Sequence, residues 1–230
     1  MVAVEEQAAQ IPGQRTGDAH PEALPTDSAN SAKSSTTDGG NCSAQIGPDS
    51  ILFLVPVIRE VLGSDACDEL LDVAQIRSLP SGHRLTNEGE AAALHQQLRR
   101  RHPDDSDLIT SLSGQRTGDH IIDKRMPEAA RRVVQSLPEW LAAPLLAKII
   151  GDYAWTFSGS GRVQIKSRFP VIIDIYDNPI VRGEKSREPV CRWHAAVFEQ
   201  LFRRMVDDRL RCIETQCCAQ GKSHCRFEVV

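Results

Sequence analysis

Apolar residues recur every three or four positions between residues 49 and 150, which is the spacing of amphipathic helices. Asn87 can cap a helix over residues 88–101 through its side-chain oxygen. The same spacing predicts further helices over residues 51–62, 65–74, 107–126, 127–137 and 138–150. Gly114 and Gly118 are expected to weaken the helix that contains them, because glycine is a poor helix former.

Beyond residue 153 apolar and polar residues alternate, which is typical of strands half buried in a sheet. Such strands are predicted over residues 154–157, 162–166, 171–176, 212–217 and 224–229. Gly159-Ser160-Gly161 is the predicted turn between the first two, and a helix over residues 191–209 separates the third from the fourth. This order predicts an α+β fold in which an antiparallel sheet packs with helices. It excludes a Rossmann fold, which needs alternating βαβ units.

The first 45 residues have a different composition from the rest of the chain. They are rich in Ala, Ser, Thr, Gly and Asp and contain no aromatic residue. Such a segment buries too little apolar surface to offset the entropy lost on ordering. We therefore predict a disordered tail over residues 1–45 and one domain over residues 46–230. Within that domain, residues 46–152 form a helical part and residues 153–230 a strand-rich part.

The distribution of charge and apolar residues restricts the partners and the location. The chain has a net charge of −4, and residues 1–47 carry six acidic and two basic side chains, so the remainder is balanced. Because residues 48–230 have no net charge, they lack the basic surface that binds nucleic acid, which excludes nucleic acid as the main partner. The longest apolar run, residues 51–58, is far shorter than the roughly 20 residues of a transmembrane helix. The sequence therefore predicts a cytoplasmic protein, free or attached peripherally to a membrane, without a transmembrane segment.

Cysteine is the most informative residue type in the chain. Five of the seven cysteines lie in the last 40 residues, and in a reducing compartment such a cluster indicates a metal site rather than disulfides. Cys191, Cys217 and Cys225 with Glu214 would supply three thiolates and one carboxylate for a tetrahedral zinc ion. His224 is an alternative to Glu214, because carboxylates are the least common ligands of structural zinc sites. A further interpretation is that these cysteines are small buried apolar residues.

Strand parity sets a condition on this ligand set. Successive side chains of a strand point to opposite faces, so Glu214 and Cys217 would diverge on a regular strand. Their convergence on one ion requires the strand to bulge or end between residues 215 and 217.

Several short segments of the chain resemble the 4-vinyl-reductase domain family. These segments are residues 155–161, 178–179, 189–194, 214–221 and 224–227. The resemblance covers roughly residues 46–230. Related domains bind zinc through a cysteine, a glutamate and two more cysteines at this spacing, which implies a structural zinc site in a C-terminal hairpin. The ligands carried over to this chain are Cys191, Glu214, Cys217 and Cys225.

The resemblance also implies a fold, an assembly and a function. The fold is similar to that of trafficking-complex subunits, members of the family form homodimers, and they hold an apolar small molecule between helices and sheet. The implied function is that of an accessory or carrier protein in bacteriochlorophyll biosynthesis. It would bind a Mg-tetrapyrrole of the divinyl protochlorophyllide type, and other enzymes of that pathway would be its partners. The alternative is the 8-vinyl reductase (formerly called 4-vinyl reductase) of that pigment, and a third interpretation is an interaction scaffold.

The sequence favours binding over catalysis. Reduction of a vinyl group needs a hydride or electron carrier, and no nucleotide-binding loop is visible. Gly159-Ser160-Gly161 does not extend to the G-x-G-x-x-G pattern, because Gln164 occupies the third glycine position. A zinc ion closed by four protein ligands also has no open position for chemistry.

Candidate residues for the pigment pocket are histidines and aromatic side chains. A Mg-tetrapyrrole needs apolar walls and can take one axial imidazole. The candidates are His120, Trp155, Phe157, Trp193, His194 and Phe198. Each has a simpler interpretation, as an ordinary helical histidine or as a side chain of the core.

Overall fold

The computed structural model of the chain describes residues 44–168 and 170–230. The helices within these residues are α1 (Asp49–Leu52), α2 (Leu54–Leu62), α3 (Ser64–Val73), α4 (Glu88–Arg101), α5 (Pro103–His120), α6 (Glu128–Ser136), α7 (Glu139–Asp152), α8 (Trp155–Ser158) and α9 (Arg192–Met205). The strands are β1 (Gln45–Ile46), β2 (Thr86–Asn87), β3 (Arg162–Arg168), β4 (Val171–Tyr176), β5 (Cys212–Gln216) and β6 (His224–Val229). A π-helical turn at Ile121–Arg125 continues α5. None of the described helices is both long and apolar enough to cross a lipid bilayer.

Four strands form an antiparallel sheet in the order β3-β4-β6-β5. Ile173 pairs with Phe227 and Ile175 pairs with Cys225, and all four side chains are buried. The helix α9 packs against β5, β6 and α5, and the ring of Phe198 on α9 lies 5.3 Å from that of Phe227. The predicted α+β fold with an antiparallel sheet packed against helices is therefore confirmed.

The described part of the chain begins inside the predicted tail, at residue 44. Residues 1–43 of the predicted disordered tail lie outside the described residues. Gln45 belongs to β1 and pairs with Asn87 of β2. Asn87 also accepts a hydrogen bond from the Gly89 N–H at 2.8 Å, so it caps α4 as predicted.

Residues 154–157 do not form the predicted strand. Trp155–Ser158 is the short helix α8, and Gly159 follows it with a φ of +54°, a conformation that favours glycine. The hydroxyl of Ser158 donates to the carbonyl oxygen of Ala154 at 2.8 Å, a bond that closes one helical turn. Gly159-Ser160-Gly161 therefore ends a helix instead of joining two strands, and the partner of β3 is β4.

Two further helix boundaries differ from the prediction. The first helix is divided at Phe53, because Pro56 has no N–H to bond the carbonyl of the residue four positions earlier. The helix α9 ends at Met205 and not at residue 209. The Asp207 carboxylate accepts from the Arg209 N–H at 2.9 Å, a local turn that competes with helix.

The two glycines of α5 allow α5 and α9 to approach each other closely. A Cβ atom at Gly114 would lie 2.6 Å from the carbonyl oxygen of Trp193 and 2.7 Å from the Cβ of Ala196. A Cβ atom at Gly118 would lie 2.7 Å from the Cβ of Gln200. The expectation that these glycines only weaken α5 was incomplete, since they form its contact surface with α9.

We predict that Gly114→Ala lowers the free energy of unfolding by about 1–3 kcal/mol, because the new methyl group overlaps backbone atoms of α9. This is the net change: the steric overlap costs more than the gain of about 1 kcal/mol in helix propensity. Gly151→Ala is the matched control, since its Cβ would lie 3.6 Å from Ile165 Cγ1, an ordinary contact. Urea unfolding measures both variants, and equal stability of the two would contradict the close approach.

A buried histidine makes the stability of the core depend on pH. His95 on α4 is fully buried, and its Nε2–H donates to the carbonyl oxygen of Ser50 at 3.1 Å. Burial and, to a smaller extent, the charge of Arg99 together lower the pKa of His95 to about 3. The unfolded chain, with an ordinary histidine pKa of 6.5, therefore binds this proton first as the pH falls.

We predict that acidification from pH 6.5 to pH 5 destabilises the wild type more steeply than His95→Gln. The stability due to neutral His95 is present above pH 6.5 and decreases by about 1.4 kcal/mol per pH unit as the pH falls toward the folded-state pKa. Glutamine keeps an N–H donor but does not titrate. Urea unfolding at several pH values gives the two slopes, and parallel slopes would show that His95 is not the titrating group.

Candidate metal centre

Four buried side chains converge at one end of α9. Cys191, Glu214, Cys217 and Cys225 each place one ligand atom within 4.8 Å of the others. The Sγ atom of Cys191 lies 3.8 Å from that of Cys217 and 3.6 Å from that of Cys225, and the Cys217 and Cys225 sulfurs lie 3.8 Å apart. This cluster of three thiols and one carboxyl could hold a metal ion.

The fold brings these residues together from three secondary-structure elements. Cys191 is the N-cap residue of α9, Glu214 lies on β5, and Cys225 lies on β6. The pairing of β5 with β6 shifts register between Glu214 and Gln216, which confirms the predicted irregularity. Because of this shift, Cys217 can turn to the same side as Glu214 just after β5 ends.

The distances between the sulfur atoms fit a tetrahedral ion. Zinc–sulfur bonds are about 2.3 Å long, so two sulfurs at corners of a tetrahedron lie about 3.8 Å apart. On Glu214, Oε2 accepts the Cys191 N–H at 2.6 Å. Its Oε1 is buried without a hydrogen-bond partner among the described residues. An unpaired buried carboxylate oxygen is costly, and an ion would satisfy it.

Without an ion the cluster must share protons. Burial and, to a smaller extent, the negative charge of Cys217 together raise the pKa of Glu214 to about 8. Burial also raises the pKa of Cys191 far above that of a free thiol. The pKa of Cys217 is lowered, because the thiols of Cys191 and Cys225 donate hydrogen bonds to its sulfur. A metal ion would displace these protons, so metal affinity would rise with pH.

The alternative ligand lies outside this cluster. His224 Nδ1 lies 2.9 Å from Ser223 Oγ, and its Nε2 lies 3.5 Å from Asp174 Oδ2. On the same face of the sheet, Arg226 forms two hydrogen bonds of 2.8 and 2.9 Å with Asp174. His224 is therefore part of a separate polar group, and Glu214 completes the set of four.

Two of the candidate pocket residues line an apolar cavity of about 360 Å³. Trp155 is 53% exposed at its rim, whereas Phe157 is buried. The remaining lining residues are Ile121, Arg125, Met126, Pro127, Ala130, Ile149, Ile150, Tyr153, Thr156 and Leu201. They come from four consecutive elements, the π-helical turn, α6, α7 and α8, and from the more distant α9. Helical periodicity alone does not show how these elements pack, so it did not single them out.

The other four candidates do not line this cavity. Trp193, His194 and Phe198 are buried on α9, and the ring of His194 lies 4.9 Å from that of Trp193 and 6.3 Å from that of Phe198. The ring of His120 lies 5.0 Å from that of Phe53, while the next residue, Ile121, reaches the cavity.

One hydrogen bond connects α9, the helix that follows Cys191, to the cavity wall. His194 follows Cys191 by one helical turn, and its Nε2–H donates to the carbonyl oxygen of Phe157 at 3.0 Å. Burial lowers the pKa of His194 to about 4, so the ring is neutral at physiological pH. The start of α9 thus holds Phe157 in place.

Comparison with known proteins gives a family and a fold. Residues 171–230 match the V4R domain. The chain is 39% identical over 194 residues to the Bacteriochlorophyll synthase 23 kDa chain of Cereibacter sphaeroides, an alignment that covers 84% of this chain and 94% of that protein. The protein of the same name from Rhodobacter capsulatus is 36% identical over 183 residues, covering 80% of this chain and 85% of that protein.

A solved structure with a similar fold has little sequence in common with the chain. An H-NOX protein from S. oneidensis, solved in the Fe(II)NO ligation state, superimposes with a TM-score of 0.51 at 12% identity. The match covers 80% of this chain and 98% of that one, and it concerns the fold alone.

The cysteine-rich end of the chain, which resembles the 4-vinyl-reductase domain family, lies within the residues that match the V4R domain. That resemblance is confirmed by the V4R match, which includes Glu214, Cys217 and Cys225. The two relatives are proteins known as BchJ, and their alignments are long enough to extend the similarity to the helical half of the chain. The chain therefore belongs to the family of the bacteriochlorophyll synthase 23 kDa chains and carries a V4R domain over residues 171–230.

Proposed function

We propose that this chain is a non-catalytic accessory protein of bacteriochlorophyll biosynthesis that binds a Mg-tetrapyrrole of the divinyl protochlorophyllide type. A structural zinc ion stabilises it. The names of the two relatives support the pathway. The observation that carries the pigment-binding role is the apolar cavity bounded by Trp155 and Phe157.

The cavity has the chemistry that a flat, largely apolar pigment needs. Its volume of about 360 Å³ is near the lower end of the range for small-molecule sites, which is about 300–1,000 Å³. A macrocycle would therefore insert one edge and leave the other accessible, which suits transfer to another enzyme. Tyr153 and Trp155 are more than half exposed at the rim and can stack on the ring. The guanidinium of Arg125, also in the lining, donates through one nitrogen to Asp49 at 2.8 Å, and its remaining N–H groups can pair with a carboxylate side chain of the pigment.

The cluster of Cys191, Glu214, Cys217 and Cys225 supports a structural zinc ion. Three thiolates and a carboxylate are zinc ligands, and the sulfur separations match a tetrahedron around it. Four protein ligands leave no position for a substrate or a reactive water, which supports a structural role for the ion. The ion would join α9 to the β5–β6 hairpin.

The assembly and the location complete the proposal. A carrier needs a donor and an acceptor, so the partners are other enzymes of the bacteriochlorophyll pathway. The homodimer, the trafficking-subunit-like architecture and the cytoplasmic or membrane-peripheral location stay predictions from the resemblance.

We predict that the purified chain holds one zinc ion and that Cys217→Ser lowers its zinc affinity by more than 100-fold. Loss of a residue that only supports a ligand costs about 10–100-fold, and loss of a ligand costs more. Cys218→Ser is the matched control, because Cys218 is the adjacent cysteine but is not one of the four clustered residues. Chelator competition and thermal melting measure both variants. Stoichiometric zinc and unchanged melting in Cys217→Ser would exclude this ligand set.

We predict that divinyl protochlorophyllide mixed with the protein shifts its Soret band and is recovered unchanged, with or without NADPH. Absorption spectra and chromatography of the extracted pigment provide the two measurements. Conversion to the monovinyl pigment would instead identify a reductase. The absence of both a shift and a product would overturn pigment binding and leave the scaffold interpretation.

We predict that Trp155→Ala weakens pigment binding by about tenfold, because a stacked aromatic contributes about 0.5–1.5 kcal/mol beyond the area that it buries. Trp140→Ala is the control, since Trp140 is 62% exposed on α7 and does not line the cavity. Both side chains are largely exposed, so neither change should disturb folding. Titrations that give equal pigment affinities for the two variants would show that the pigment does not occupy this cavity.

A further inference from the structure

Asn178 is a buried polar residue next to the metal-ligand cluster that is not itself a ligand. It lies two residues after β4, directly before a 3₁₀ turn at Pro179–Val181, and is 1% exposed. Its Oδ1 accepts a hydrogen bond from the Ile180 N–H at 3.1 Å. Since a backbone N–H requires an acceptor, this bond determines which end of the amide is oxygen.

The other end of the amide points at two of the four clustered residues. Asn178 Nδ2 lies 3.5 Å from Cys191 Sγ and 3.5 Å from Cys225 Sγ, so each of its two N–H groups can donate to one sulfur. Cys191 begins α9 and Cys225 lies on β6. One amide therefore spans two ligands that come from different elements.

A zinc-loaded cluster would carry excess negative charge, and these hydrogen bonds would stabilise it. Three thiolates and one carboxylate around a divalent cation leave two negative charges in excess, and buried charge requires hydrogen-bond donors. The backbone N–H of Cys218 donates to Cys225 Sγ at 3.3 Å, and that of Cys191 donates to Glu214. Among the described side chains, apart from the clustered thiols themselves, Asn178 is the one that donates to the sulfurs.

We propose that Asn178 is a positioning residue of the zinc centre, whose amide fixes the spacing of Cys191 and Cys225 and stabilises both as thiolates. The proposal rests on the proposed zinc site. Partners of metal ligands orient the ligand atoms and strengthen binding, and their loss lowers metal affinity by about 10–100-fold.

The test compares two chemically identical substitutions in the full-length chain. Asn178→Asp keeps an oxygen for the Ile180 N–H but replaces both N–H donors by a carboxylate oxygen facing the sulfurs. Asn87→Asp is the matched control, because Asn87 Oδ1 also accepts a backbone N–H, from Gly89 at 2.8 Å, and Asp is an equally good cap. Asn178→Ala serves as a second variant, which removes the donors without adding charge.

Zinc affinity and a cobalt spectrum give two independent measurements. We expect about 10–100-fold weaker zinc binding in both Asn178 variants, still at one ion per chain, and wild-type affinity in Asn87→Asp. With Co²⁺ in the site, the sulfur-to-cobalt charge-transfer bands should move to longer wavelength in the Asn178 variants, because sulfurs without N–H donors are more easily oxidised. A residue with a merely structural role would leave these bands in place.

The outcomes separate this proposal from the zinc site itself. A wild-type chain that binds no zinc overturns both. A wild-type chain that binds zinc, with Asn178 variants of equal affinity and unshifted cobalt bands, overturns the role of Asn178 alone. Should Asn178→Asp fail to fold, the same two measurements on Asn178→Ala decide the question.

Discussion

The cluster of Cys191, Glu214, Cys217 and Cys225 is the constraint on which the C-terminal half depends. Four acidic groups from separate stretches of chain share one buried volume, with sulfurs at most 3.8 Å apart. Such groups are stable together only when they hold protons or a cation. The ordering of α9 against the β5–β6 hairpin is therefore linked to what occupies the cluster. We propose that a zinc ion occupies the cluster.

The helix α9 carries the effect of the cluster to the rest of the fold. It begins at Cys191, presents Phe198 to the sheet, and meets Gly114 and Gly118 of α5 at backbone distance. One turn after Cys191, the His194 Nε2–H donates to the carbonyl oxygen of Phe157. An ion that fixes the start of α9 would thus also fix the wall of the apolar cavity. The proposed metal site and the proposed pigment pocket are therefore connected through α9.

The sequence predicted what depends on local pattern and on spacing. Residues 88–101 form a helix with Asn87 as its cap. The cysteine spacing indicated the three clustered cysteines but left Glu214 and His224 as alternatives, and the family resemblance implied Glu214. The secondary-structure prediction was wrong where an element has too few residues to show a hydrophobic period. Four residues of α8 fit a strand as well as a helix, and the hydrogen bond of Ser158 together with the positive φ of Gly159 decided between them. The cavity was only partly foreseen, because its walls come from five elements that meet only in the folded chain.

The most direct test of the zinc centre is the X-ray absorption spectrum of the purified protein at the zinc edge. We expect one zinc ion with three sulfur neighbours at about 2.3 Å and one oxygen neighbour at about 2.0–2.2 Å. A shell of four sulfurs would mean that a further cysteine replaces Glu214. The absence of zinc from a correctly folded chain would contradict the proposed zinc site.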